Sequence, residues 1–140
     1  MKALATKANS DLEKAVAKRL GELWKCKFLF LGHLSSTDRI VVRDGRPVAV
    51  AEIKCRSHDA DRYPTVFMAL RKWYELTRVA AALEIAAYYI VRFEGGEVRY
   101  IDVRTVDPRG SRMWGRAPRE GAPHDQELIF EIPVEDMEIA

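Results

Sequence analysis

The sequence has only two cysteines, Cys26 and Cys55. They stand far apart with no C-x-x-C pair, so they support no disulfide framework and read as reduced, buried thiols of a cytosolic protein. Long apolar runs are also missing. No segment approaches transmembrane length, and the opening MKALATKANSDLEKAV lacks the apolar core of a signal peptide. No membrane role is expected, and the expected location is the cytoplasm. Neither internal repeats nor low-complexity tracts occur. A strong charge of one sign is absent too: 23 Lys and Arg stand against 21 Asp and Glu, a net charge of +2. That excess is too small to point to nucleic acid by itself, so the local distribution of charge has to carry the argument.

What remains is a mixed, ordinary composition over 140 residues, which fits one soluble globular domain, residues 1–140. Ser10 to Leu23 reads as an amphipathic helix with Leu12, Val16, Leu20 and Leu23 on one side, opened by a Ser10–Glu13 capping box. Lys27 to Leu34 reads as a strand. TDRIVVRDGRPVAVAEIKC reads as two strands around an Asp-Gly turn. Pro64 to about Ala86 reads as a long helix with Pro64 in its first turn and Val66, Leu70, Trp73, Thr77 and Ala80 in helical period. AAYYIVRFEGGEVRYIDV reads as a second hairpin turning at Gly95 and Gly96. Asp107 to Gln126 reads as loop, and LIFEIPVEDM as a short edge strand, because Pro133 cannot donate to a ladder. The expected fold is α/β or α+β with one mixed sheet.

The informative stretch is VAVAEIKC, Val48 to Cys55. Strand alternation puts Val48, Val50, Glu52 and Lys54 on one face and Ala49, Ala51, Ile53 and Cys55 on the other. A carboxylate and an ammonium leaving a buried strand together are expensive unless compensated. If Arg43, Asp44 and Gly45 form a three-residue loop, Asp38 opposes Val50 and lies diagonal to Glu52 at roughly 7 Å. A two-residue Asp44-Gly45 loop instead sets Asp38 opposite Ala51, on the wrong face. Two converging carboxylates call for a cation between them, and oxygen ligands with room for water and a phosphate suit Mg²⁺ or Mn²⁺. Such a metal acidifies its water and neutralises a phosphoryl oxygen, while Lys54 would orient the attacking hydroxide or stabilise the pentavalent phosphate.

An acidic Asp38, a turn, and then Glu52-Ile53-Lys54 near the end of the next strand resemble the PD-(D/E)XK nuclease superfamily. The resemblance runs over about residues 10–103, where helix, hairpin, long helix and following strand match its restriction-endonuclease-like αβββαβ core, a central mixed sheet flanked by helices. The text STDRIVVRDGRPVAVAEIKCRS, with AAYYIVRFEGG, GRAPRE and IPVEDM downstream, is similar to small stand-alone nuclease domains of phages and prophages, and more distantly to archaeal Holliday junction resolvases. It implies Asp38 and Glu52 as metal ligands, the Ile53 carbonyl completing the shell, Lys54 as the catalytic lysine, and Glu13 as the first-helix glutamate many members use as a further ligand. Lys72, on the long helix, matches a position that often faces the site. Thr37 stands where the name-giving proline would be. The implied activity is Mg²⁺-dependent hydrolysis of DNA phosphodiesters with little sequence specificity, Mn²⁺ substituting, in the host cytoplasm if phage-encoded. A homodimer, or a partner protein delivering the substrate, would supply the grip that so small a domain lacks.

Each site residue has a plainer account. The capping box explains Glu13 as fully as a ligand role does. Asp38 also fits a turn cap, and Arg71 with Glu75 fits a surface i,i+4 pair. Cys55 and His58, with Cys26 and His33, make a poor zinc site by spacing. Trp73 reads as core. Arg56 is a candidate for substrate contact. Arg104, Arg109, Arg112, Arg116 and Arg119, near Met113 and Trp114, fit either phosphate contacts with stacking or a solvated loop. The competing functions are a junction resolvase or structure-selective endonuclease, a nucleic-acid-binding subunit that kept the fold without the chemistry, and a protein with a coincidental E-x-K.

Overall fold

The computed structural model describes residues 2–31, 39–115 and 126–140, with side chains from Ser10 onward. Asp38, His33, Ser35, Ser36, Arg116 and Arg119 lie outside the described residues. A six-stranded mixed sheet runs in the order β1 (Lys27–Phe30), β2 (Arg39–Arg43), β3 (Arg46–Cys55), β5 (Ala86–Arg92), β6 (Val98–Asp102), β9 (Glu138–Ile139). The helices α1 (Lys2–Trp24) and α2 (Leu70–Leu83) cover its two faces. Strand alternation decides which helix meets which residues. Ala49, Ala51 and Ile53 of β3 pack with Val16 and Leu20 of α1. Val50 packs with Leu76 and Ala80 of α2. Burying each Val or Leu contributes about 1.5–3 kcal/mol against leaving it in water. The central pair β3 and β5 is parallel, with α2 in the connection between them, while the outer pairs are antiparallel. The expected αβββαβ order is therefore present. Among the described residues no helix is long and apolar enough to cross a membrane.

Several local expectations give way. The capping box does not open α1, which begins at Lys2 and holds Ser10 in its interior, so the capping account of Glu13 falls. Leu23 is exposed, and Trp24 packs instead, edge-on to Tyr100 at 4.9 Å. The strand after Lys27 ends at Phe30 rather than Leu34. Both cysteines are half-buried rather than buried.

The hairpin loop is the two-residue Asp44-Gly45, with Asp44 at φ 53° and Gly45 at φ 74°, as a type I′ turn requires. A β-bulge between Val41 and Val42 then shifts the register. Val42 opposes Pro47 but Val41 opposes Ala49, leaving Val48 without an opposite residue. Val48 thus joins the α1 cluster instead of sharing the face of Val50. Beyond the bulge, Ile40 opposes Val50 and packs against the α2 cluster with it. The bulge undoes the face inversion that a two-residue loop alone would impose.

The sheet is not the only one. Thr65–Ala69, expected inside the long helix, forms β4, and Arg112–Gly115, expected as loop, forms β7. Both flank β8 (Gln126–Pro133) in a three-stranded sheet of order β4-β8-β7. So LIFEIP is a central strand, and Pro133 is tolerated at its last residue, opposite Thr65. Helix α2 accordingly starts at Leu70 and ends at Leu83, capped by Glu84, which adopts the left-handed conformation at φ 57°.

Core and rim should separate cleanly by mutation. Ile53→Ala, at a fully buried position, should lower unfolding free energy in urea by about 2–5 kcal/mol. Leu128→Ala, at a position 44 % exposed, should stay within about 1 kcal/mol. Equal losses would mean that the α1 face of β3 is not the packed layer described.

Candidate active site

The last residues of β3 build the site. Glu52 is 2 % exposed on a strand flanked by β2 and β5. Its carboxylate Oε1 lies 3.3 Å from Lys54 Nζ, whose side chain is 48 % exposed against 3 % for that of Glu52. Alternation puts both on the α2 face, one residue inside and the next one out. The ammonium thus offsets part of the cost of the buried carboxylate while remaining open to a ligand.

Directly beside Glu52 in the parallel register stands Tyr89 of β5, 1 % exposed. Its hydroxyl donates to the Phe67 carbonyl at 3.1 Å and accepts from Arg56 Nη2 at 3.0 Å. Burial pushes the Tyr89 hydroxyl up, against the lowering influence of Arg56, so it stays protonated. Arg56 also donates to the Phe67 carbonyl at 3.1 Å and sits 4.6 Å from the Phe67 ring centroid. These bonds fix Arg56 and tie the central sheet to β4.

A cleft of about 250 Å³ opens over these groups, lined by Glu52, Lys54, Arg56, Phe67, Met68, Ala69, Arg71, Lys72, Tyr89 and Glu127. Four cationic side chains against two carboxylates suit an anionic ligand. Arg71 and Lys72 share Glu75, at 3.5 and 3.8 Å, so the surface pair expected for Arg71 is present while both cations still reach the cleft. A larger cleft, about 710 Å³, is lined by Asp102, Asp107, Glu131, Asp136 and Glu138, and among the described residues by no Lys or Arg. Its lining carboxylates offer an anion less than the cationic cleft over Glu52 does, so size does not mark the site.

Other candidate residues sit apart. Glu13 belongs to α1, and its carboxylate adds to the burial that pushes the Cys55 thiol up; Cys55 lies on the opposite face of β3 from Glu52. Arg112 pairs with Glu131 at 3.0 Å, Arg104 with Asp102 and Arg109 with Asp107 at 2.7 Å each. Trp73 donates to the Val103 carbonyl at 3.0 Å and packs edge-on to Phe130, a core role. Arg39, the chain neighbour of Asp38, opposes Ala51, the chain neighbour of Glu52.

The donor set fits a hard cation. Carboxylate oxygens face the cleft, with the Ile53 carbonyl alongside in the chain, and among the described residues neither thiol nor imidazole lines it. Among the described residues no three His, Cys, Asp or Glu side chains gather into one group. Tyr89, Phe67 and Glu127 escaped sequence reasoning. Tyr89 was hidden within an apolar run, and Phe67 within a segment read as helix.

A central mixed sheet with a helix on each face and E-x-K ending its inner strand is the arrangement of PD-(D/E)XK nucleases. The chain belongs to the family described as "Phage putative PDDEXK endonuclease", whose model matches residues 2–140. Among solved structures it is similar to Hjc of Archaeoglobus fulgidus, a Holliday junction resolvase, with a TM-score of 0.52 and 16 % identity over 85 % of this chain and 82 % of that one. At that identity the likeness is one of fold. None of the curated proteins matches the chain.

The bonds around Tyr89 predict a measurable loss. Tyr89→Phe removes a buried hydroxyl that serves both Arg56 and Phe67, and should cost about 0.5–1.5 kcal/mol in urea unfolding. No change would mean that Arg56 is not held through this hydroxyl.

Proposed function

We propose that the protein is a metal-dependent DNA endonuclease whose catalytic centre is Glu52 and Lys54 together with Asp38. The observation that carries this reading is a buried carboxylate held 3.3 Å from a half-exposed ammonium at the floor of a cationic cleft. Family membership over nearly the whole chain agrees with it.

Glu52, Asp38 and the Ile53 carbonyl would hold Mg²⁺, or Mn²⁺ in its place; Glu13 stands on α1, the helix packed on the opposite face of β3, and is left out of that shell. Bound there, the ion would neutralise charge on a phosphoryl oxygen and lower the cost of producing hydroxide from water. The chain's own groups do the rest. Lys54 orients the attacking water and donates to the phosphoryl oxygen as charge builds on it. Arg56 and Lys72 would bind the flanking phosphates, with Arg112, Arg116 and Arg119 as candidates for contacts farther from the scissile bond. The water oxygen bonds to phosphorus as the ester P–O bond breaks; the proton leaves to solvent, and the departing oxygen is protonated from solvent. Because none of these groups addresses a base edge, the cleavage would have little sequence specificity.

The test is cleavage of supercoiled, single-stranded circular and four-way-junction DNA with Mg²⁺, Mn²⁺ or EDTA. Lys54→Ala should lower the rate by about 100- to 1,000-fold, the loss expected when one donor to the developing charge is removed. Glu52→Gln should abolish cutting, and EDTA should do the same. Preference for the junction would select the resolvase reading of substrate. Wild type and variants equally inert on every substrate would replace the enzyme by a nucleic-acid-binding subunit.

A further inference from the structure

Trp114 is 47 % exposed, yet its lower contact is fixed: its ring lies 4.7 Å from that of Phe67, inclined by 36°. Phe67 is a cleft residue and carries the Arg56 guanidinium 4.6 Å from its ring centroid. Register places Trp114 opposite Glu127, which also lines the cleft, and opposite in facing to the neighbouring pair Met113 and Leu128. The β4-β8-β7 sheet therefore holds an indole at the rim of the same cleft that has Glu52 and Lys54 at its floor. Exposure alone is not distinctive, since Tyr63 and Tyr74 are as open; the place of the indole against the cleft residue Phe67 is. This one is anchored by Phe67 and left with nearly half its surface in water.

We infer that Trp114, backed by Phe67, is a stacking platform for an unpaired nucleobase, and that the substrate is DNA that is single-stranded or locally opened beside the scissile phosphate. The inference rests on the nuclease reading of the site. An indole offers a π-face matched to a nucleobase, and such stacking tolerates any base. Within a duplex both faces of each base are covered by neighbours, so the platform has nothing to hold until a base leaves the stack. The cations Lys54, Arg56, Arg71 and Lys72 supply the matching grip on the backbone. Stacking at the rim with phosphate contacts at the floor would seat one nucleotide across the cleft.

The experiment compares binding of labelled oligo(dT), and of the same strand annealed to oligo(dA), in EDTA so that no cleavage intervenes. Trp114→Leu keeps an apolar cover on Phe67 but offers no ring. It should weaken oligo(dT) binding about 5- to 150-fold, the range for one base–aromatic stack, and leave the duplex unchanged. Trp114→Phe should restore most of the affinity. Wild-type tryptophan fluorescence should fall on adding oligo(dT), and that fall should vanish in Trp114→Phe, a reading that does not depend on Trp114→Leu folding well. Trp24 and Trp73 contribute little to it because both are packed against other side chains. Equal binding of strand and duplex by every variant, or a fall in fluorescence that persists in Trp114→Phe, would overturn the platform. If Mg²⁺-dependent cutting lost in Glu52→Gln accompanied that result, the nuclease reading would stand. If wild type neither bound nor cut DNA, both would fall.

Discussion

Everything at the site depends on holding the Glu52 side chain at the end of β3 while it is almost wholly removed from water. Burial of a charge in a sheet interior costs several kcal/mol even after relaxation. An apolar side chain on β3 would serve the fold better. The Lys54 ammonium at 3.3 Å returns part of the cost, and the position of Glu52 near the end of β3 keeps it within reach of the cleft. The catalytic role proposed for Glu52 would account for a charge kept at that cost.

The second sheet gives the cleft its wall. Without β4, Phe67 would lie on a helix and its carbonyl would not be available to Tyr89 and Arg56. Without β8 and β7, Glu127 would not line the cleft and Trp114 would not lie against Phe67. The six-stranded sheet thus places the charged pair, and the three-stranded sheet closes one side around it. Arg56 bridges the two through its bonds to Tyr89 of one sheet and Phe67 of the other.

The sequence showed most clearly what is local. E-x-K at the end of an apolar run, the Asp-Gly turn, the Gly95-Gly96 turn and the 3.6-residue period from Leu70 to Ala80 each mark themselves within a few residues. What it hid is non-local. Thr65 to Ala69 continues the helical period of Leu70 and Trp73 with Val66, and only pairing with β8, more than fifty residues on, makes it a strand. Strand β7 has all four residues exposed and no alternating pattern to announce it. The bulge at Val41/Val42 leaves no signature, yet it decides which residues of β2 share a face with Val50. The Ser10–Glu13 box was a false start signal because helix-forming residues continue back to Lys2.

The most direct test of the central claim is titration of Mn²⁺ into the protein by calorimetry, wild type against Glu52→Gln, with no DNA present. The account predicts saturable binding in the millimolar range or tighter, abolished by removal of this one buried charge. Wild-type binding left intact in Glu52→Gln, or no binding by either protein, would contradict it.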